Sequence, residues 1–224
     1  MKKVFIGVGH GGKDGGATGR DGSLEKDLNL SIARACGAAL ERSGVKVQLS
    51  RTNDEHDPVD QEVKECNAFA PDLAVGIHCN AGGGDGAEVF HSIVGGLGKT
   101  AAQNILTEIT KLGQKSRGAK TRLNASGSDF YAFIRDTKAH AVIVECAFVD
   151  SADLGLIDTE AERVQVGEAI ARGILATLGL KYVARGSADG SVFRVQCGAY
   201  SKRENAEAQV ARLKKAGFDA IITS

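Results

Sequence analysis

Short apolar runs alternate along the chain with longer segments in which apolar residues recur every three or four positions. Such runs are typical of buried strands, and the longer segments are typical of amphipathic helices. The pattern predicts strands at about 4–9, 45–49, 74–81, 87–91, 130–134 and 142–145, and helices at about 24–43, 59–70, 97–112 and 160–178. This alternation predicts an α/β fold, with a mainly parallel twisted sheet covered by helices on both faces.

The end of the chain repeats the alternation on a smaller scale. Apolar and polar residues alternate from Phe193 to Cys197, an amphipathic segment places Ala206, Val210 and Leu213 on one stripe, and a second apolar run covers 220–223. We therefore predict a main domain at 1–180, a linker at 181–190 and a small C-terminal β-α-β unit at 191–224.

Composition narrows the choice of partners and of compartment. The 224 residues carry 28 basic and 28 acidic side chains, so bulk charge gives no reason to expect nucleic acid or a membrane surface as a partner. No segment is apolar over the length that membrane insertion needs. Five scattered cysteines without a C-x-x-C pair indicate neither a disulfide framework nor a thiolate zinc site. The N-terminus lacks signal-peptide features, so we expect synthesis in the cytoplasm without export.

Three of the predicted strands end in residues that can do chemistry. His10 follows the first strand, His78 lies near the end of the strand at 74–81, and Glu145 ends the run at 142–145. Ligands of α/β sheets bind at this carboxyl edge. Zinc in hydrolases is commonly held by two histidines and one carboxylate, with a fourth position left for water. Glu25 is the preferred third ligand, because it begins the helix that leaves the glycine-rich loop; Asp14, Asp21 and Asp27 remain alternatives.

The remaining polar residues near these strand ends receive provisional roles. Glu145 is the candidate general base that takes a proton from the activated water. Asn80 lies two residues beyond His78, so it is expected on the same strand face, either hydrogen-bonding substrate or forming a turn before the glycines. Cys79 and Cys146 should point away from the metal into the core, because successive strand residues face opposite sides. His91 is expected to line the cleft.

Five ordered motifs between about residues 3 and 180 resemble those of the zinc-dependent N-acetylmuramoyl-L-alanine amidases of the Amidase_3 type. They are Gly9–Ala17, Glu25–Leu30, Ser50–Asp54, Ile77–Ala81 and Val144–Val149. The resemblance implies an enzyme with a Zn²⁺ cofactor held by His10, Glu25 and His78, with Glu145 as the catalytic glutamate. It also implies peptidoglycan as substrate, cleaved by a zinc-activated water between N-acetylmuramic acid and the L-alanine of the stem peptide.

Two departures from the family pattern stand out. Glu62 occupies a position in the second helix where the family often has an arginine, and Ala147 replaces a usual glycine. Peptidoglycan lies outside the cytoplasm, so a wall hydrolase without an export signal most resembles a phage endolysin or a mother-cell lysis enzyme. Such a protein would act on the wall only after release.

Three other functions compete with this interpretation. A zinc carboxypeptidase acting on wall peptides would use the same metal chemistry, and a non-catalytic wall-binding protein could share the fold. Gly7–Gly12 also matches the G-x-G-x-x-G pattern of dinucleotide-binding domains. That motif needs a helix directly after its last glycine, whereas about ten further loop residues intervene here.

The C-terminal unit resembles the first half of a SPOR repeat, a peptidoglycan-binding module built from two β-α-β halves. A unit of this size buries too little apolar surface to be stable alone, since domains below about 40 residues usually need additional support. We therefore predict a homodimer in which residues 191–224 of two chains pair into one sheet. The alternative is a vestigial tail that is disordered or packs on the main domain.

Overall fold

The computed structural model describes residues 1–186, 197–215 and 222. The chain divides into two compact units, Met1–Arg185 and Gly186–Ser224. Of the described helices, none combines the length and apolar character that crossing a bilayer requires.

The first unit contains six strands and five α-helices. The strands are β1 (Lys3–Val8), β2 (Lys46–Leu49), β3 (Leu73–Asn80), β4 (Ala87–His91), β5 (Ser116–Lys120) and β6 (Ala141–Phe148). The helices are α1 (Glu25–Arg42), α2 (Val59–Phe69), α3 (Gly96–Thr110), α4 (Ala132–Asp136) and α5 (Glu160–Thr177), and a 3-10 helix covers Ala152–Leu156.

The strands form one sheet in the order β2-β1-β3-β6-β4-β5. All neighbours are parallel except β4 and β6, which are antiparallel, so the predicted mainly parallel α/β sheet is confirmed. Alternate strand residues enter two cores. Val4 and Ile6 pack in the core that contains residues of α1, α3 and α5, whereas Phe5 packs in the core with Cys66 of α2 and Phe133 of α4. The sheet is thus covered on both faces.

The predicted strand at 130–134 is wrong, because this segment leads into the short helix α4. Tyr131 is extended, and its carbonyl accepts hydrogen bonds from the backbone N–H groups of Ile134 and Arg135. Phe133 and Ile134 are both buried, which a helical turn permits for consecutive residues and a strand with one covered face does not. Strand β5 was not predicted, because it is a polar edge strand without an apolar run.

The second unit contains helix α6 (Arg203–Lys215) among its described residues. Its predicted apolar stripe, Ala206, Val210 and Leu213, is partly buried. The strands predicted around Phe193 and at 220–223 fall almost entirely outside the described residues.

Candidate metal centre and active site

Neighbouring strands β1, β3 and β6 bring the candidate site residues to one edge of the sheet. His78 on β3 is the register partner of Glu145 on β6, and His10 follows β1 on the other side of β3. His10 has a φ of 64°, a left-handed backbone conformation that side chains other than glycine rarely adopt. Such conformations cluster at functional sites, where the surrounding structure maintains them.

Three side chains present their ligand atoms to a common point. His10, Glu25 and His78 place one ligand atom each within 4.8 Å of one another. Glu25 Oε2 lies 3.2 Å from His10 Nε2, and Glu25 Oε1 lies 3.4 Å from His78 Nδ1. In the part of the chain that the structure describes, this is the sole cluster of His, Cys, Asp or Glu ligands of that kind.

Glu25 is the buried member of the three and is fixed by backbone and side-chain donors. Oε2 accepts a hydrogen bond from the Ala17 N–H at 2.9 Å, and Oε1 accepts from the Cys79 N–H at 3.1 Å and from Asn29 Nδ2 at 3.2 Å. Burial raises the pKa of Glu25, but the hydrogen bonds with His10 and His78 outweigh it and hold that pKa well below its usual value. The carboxylate therefore stays ionised.

His10 is oriented from its other ring nitrogen by Asp14. The Asp14 carboxylate lies 2.9 Å from His10 Nδ1, so Nε2 is the nitrogen directed at the cluster. A carboxylate behind a histidine is a common way to fix the ring of a metal ligand. Without metal, the hydrogen bond with Glu25 raises the pKa of His10 to about 9; burial opposes this shift and Asp14 adds to it. Asp14, which the sequence left open as an alternative third ligand, thus contacts His10 at Nδ1, the ring nitrogen that is not directed at the cluster.

Gly9 and Arg51 shape the loop around these ligands. A Cβ at Gly9 would lie 2.3 Å from His78 Cε1, so the close packing of that ring requires glycine. Arg51 is almost fully buried and donates hydrogen bonds to four backbone carbonyls: those of Val8, Gly9, Lys26 and Asn53. It therefore ties the His10 loop to the first turn of α1. The sequence identified Arg51 only as part of the motif Ser50–Asp54. Hydrogen bonds from one guanidinium group to the carbonyls of distant residues leave no local sequence pattern.

Glu145 is partly exposed where β6 reaches the site, and it pairs in register with Glu88 on its other side. Burial raises the pKa of Glu145, with the charge of His78 opposing that shift. Glu88 is held by Arg117 at 2.7 Å and by Lys120 at 2.5 Å. The carboxyl group that pairs in register with His78 is thus one whose pKa is raised by burial.

The side chain of Asn80 contacts the protein at both of its polar atoms. Nδ2 donates to Glu88 Oε1 at 3.0 Å, and Oδ1 accepts from the Ala81 N–H at 2.9 Å. The pairing of β3 with β6 shifts register between His78 and Asn80. The alternation of strand faces therefore does not by itself place Asn80 on the same side as His78. A substrate contact by Asn80 stays a prediction, and the turn-forming alternative agrees with the Ala81 contact.

Other sequence candidates lie away from the cluster. Cys79 and Cys146 are buried in the core on the α1 side, as predicted. Asp21 and Asp27 are exposed and outside the cluster. The expectation that His91 lines the cleft is wrong: β4 runs antiparallel to β6, so His91 pairs with Val142 and lies towards the opposite edge of the sheet.

A cavity of about 310 Å³ opens beside the two histidines, on the face of the sheet that α2 and α4 cover. One wall comes from residues 56–59 and Glu62, and the other from residues 131–133 and Ile143. Most of the lining is apolar, and its histidine and acidic side chains are His10, Asp14 and His78 together with His56, Asp57 and Glu62. A mostly apolar cleft with a few convergent polar groups is typical of a substrate site.

This fold and site define a class: an α/β protein with two histidines and a glutamate as potential ligands, and a further glutamate beside them at the carboxyl edge of the sheet. This donor set fits zinc, since it combines nitrogen and carboxylate oxygen ligands and leaves a coordination position open.

Comparisons with known proteins agree with this class. The profile of a family described as N-acetylmuramoyl-L-alanine amidase (Amidase_3) matches residues 4–176, and that of the SPOR domain matches residues 163–224. The sporulation-specific N-acetylmuramoyl-L-alanine amidase of Bacillus subtilis is 31% identical over 227 residues, covering 99% of this chain and 84% of that protein. The endolysin of Bacillus phage SPP1 is 33% identical over 197 residues, covering 84% of this chain and 70% of that protein.

A solved structure indicates the same family for the first unit. The catalytic domain of CwlV, an N-acetylmuramoyl-L-alanine amidase from Bacillus (Paenibacillus) polymyxa var. colistinus, aligns with a TM-score of 0.72 at 28% identity, covering 81% of this chain and all of that domain. The chain belongs to the N-acetylmuramoyl-L-alanine amidase family, so the family and enzyme class predicted from the sequence are confirmed. The predicted resemblance to a SPOR domain is also confirmed, but the matched region begins within α5 and not at residue 191.

Proposed function

We propose that this amidase is zinc-dependent and hydrolyses the amide bond between N-acetylmuramic acid and the L-alanine of the peptidoglycan stem. The observation that carries the proposal is the convergence of His10, Glu25 and His78 within 4.8 Å, with Glu145 in register beside His78. When bound, zinc supplies polarisation of the scissile carbonyl and activation of a water molecule.

The protein's own residues handle substrate and protons. Glu25 stays ionised and contributes negative charge to the metal position, while Asp14 directs His10 Nε2 towards it. Glu145 accepts the proton that the attacking water releases and returns it to the leaving amine of L-alanine. Burial raises its pKa, which suits this double role, because a carboxyl group that binds a proton more readily is a better base and can still return the proton.

Wall attachment through the second unit is part of the proposal. The SPOR match supports peptidoglycan binding there, and the small size of that unit supports pairing with a second copy. We therefore keep the homodimer through residues 191–224 as a proposal. Action on the wall after release from the cytoplasm also stays a prediction.

Product analysis separates the proposed reaction from a zinc carboxypeptidase on the same site. Purified peptidoglycan is digested with zinc-loaded enzyme, and the fragments are identified by mass spectrometry. The amidase reaction yields stem peptides with a new N-terminal alanine and lactyl carboxylates on the glycan. Release of C-terminal amino acids with the muramoyl bond intact would contradict the proposal, as would unchanged hydrolysis after the metal is removed by a chelator.

A further inference from the structure

A further glutamate, Glu62, lines the cavity beside the His10–Glu25–His78 cluster and takes no part in the mechanism above. It lies on the first turns of α2 and is buried. The cavity that it lines is also lined by His10 and His78. A buried carboxyl group next to a cluster of charged ligands is costly, so its position calls for a function or for compensating contacts.

The backbone of β1 leaves space for this carboxyl group. A Cβ at Gly7 would lie 2.2 Å from Glu62 Oε1, so any larger residue at position 7 would displace it. Gly7 faces the same side of the sheet as Phe5, which is the side of the cavity. Glycine at 7 and glutamate at 62 thus form a matched pair, because the missing side chain of Gly7 leaves room for the Glu62 carboxyl group.

Burial makes the charged form of Glu62 costly in the metal-free protein. Burial and the negative charge of Asp57 raise the pKa of Glu62 to about 7, against the opposing charge of His78 and a hydrogen bond with Ser50. Asp57 lines the same cavity, and its Oδ2 is buried without a hydrogen-bond partner among the described residues. The remaining wall is largely apolar, with Val59, Phe133 and Ile143. A carboxyl group in such a wall can accept hydrogen bonds from a ligand, and it can donate one when it is protonated.

We propose that Glu62 positions the substrate, with its carboxyl group forming a hydrogen bond to an amide group of the muramoyl-peptide held in this cavity. The inference rests on the proposed function, since it assigns the cavity to the substrate of the same metal site. A muramoyl-peptide carries amide groups on both sides of the scissile bond. Glu62 acts through binding, and the proton transfers remain with Glu145.

Three variants of the full-length, zinc-loaded protein test the assignment. Glu62→Gln keeps the shape and an N–H donor, Glu62→Leu keeps the volume without a polar group, and Asp60→Asn changes an exposed acid of the same helix as a control. The readouts are kcat and KM for a soluble muramoyl-peptide, and its Kd measured by calorimetry in a Glu145→Gln background. Zinc content and melting temperature are measured in parallel.

We expect Glu62→Leu to raise KM and Kd about 10-fold to 100-fold, as loss of a buried hydrogen bond typically does, with kcat changed by less than about threefold. Glu62→Gln should stay within about threefold of the parent Kd, and Asp60→Asn should match the parent. Parent-like KM and Kd in Glu62→Leu would overturn the proposal. Equal losses in the Gln and Leu variants would also overturn it, because they would indicate that the negative charge binds a cation. Failure of the parent enzyme to cleave muramoyl-alanine would instead refute the proposed function.

Discussion

His78 and Glu145 are direct register partners on the parallel strands β3 and β6. The proposed metal ligand and the proposed proton carrier are therefore held at a separation set by backbone hydrogen bonds of two buried strands, not by loops. Both side chains face the α2 and α4 side of the sheet, because Cys79 and Cys146 occupy the alternate positions in the opposite core. The rigidity of this pair is what a site that must position water between metal and base requires.

Replacing Glu25 should remove the metal without destroying the fold. Glu25→Gln retains the size of the side chain but loses the negative charge between the histidines, so zinc content measured by elemental analysis should fall far below that of the parent. Asp27→Asn is the matched control, since Asp27 is an exposed acid on the same helix. Normal zinc content in Glu25→Gln, or its loss in Asp27→Asn, would mean that the third ligand is wrongly assigned.

Zinc affinity should increase with pH across the neutral range. In the metal-free protein the pKa of His10 is about 9, so its imidazole is mostly protonated at pH 7 and must lose that proton to bind zinc. The apparent association constant should then rise about tenfold per pH unit for this proton and level off above about pH 9. Competition with a chromophoric chelator between pH 6.5 and 9.5 measures this. A pH-independent affinity would show that His10 is neutral in the metal-free site.

The same ionisation has a consequence for the stability of the metal-free protein. A raised folded-state pKa stabilises the fold fully below the unfolded value of about 6.5, and that contribution is lost as the pH rises through about 9.

Arg51 should matter for stability as well as for metal binding. Arg51→Lys cannot reproduce a fork that reaches four carbonyls, so we expect a loss of about 2–4 kcal/mol in the free energy of unfolding and weaker zinc binding through the displaced His10 loop. Arg34→Lys is the control, because exposed Arg34 donates to the Thr52 carbonyl. Denaturant unfolding with and without zinc measures both effects. Equal stability of the two variants would contradict this role.

The convergence of the candidate site residues was predictable, because parallel strands have their carboxyl ends at the same edge of a sheet. His10, His78 and Glu145 each followed such a run, and that alone placed them together. Glu25 came from its position at the start of a helix after a glycine-rich loop. Helix α4 was missed because a five-residue helix has too few residues to show a period, so Phe133 and Ile134 were read as strand.

Long-range contacts were beyond what the sequence could show. The orientation of β4, and with it the true position of His91, depends on which strand it pairs with. The Asn80–Glu88 contact follows from that same pairing. The approach of Glu62 to Gly7 joins residues on different elements, where the sequence showed only an unexpected charge.

Self-association should depend on the second unit. The full chain is expected to be a dimer at micromolar concentration, and a protein ending at Arg185 is expected to be a monomer with its zinc site intact. Multi-angle light scattering on both proteins measures this. A monomeric full chain, or a dimer that survives the truncation, would contradict pairing through residues 191–224.

The rate of muramoyl-alanine hydrolysis by zinc-loaded Glu145→Gln tests the central claim most directly. The glutamine keeps the shape of the side chain but can neither accept the proton from water nor deliver one to the leaving amine. Zinc content should therefore equal that of the parent, while the rate falls by about 10²-fold to 10⁴-fold, as expected for loss of general acid–base catalysis. A zinc-loaded Glu145→Gln protein that hydrolyses the bond within a few-fold of the parent rate would contradict the account.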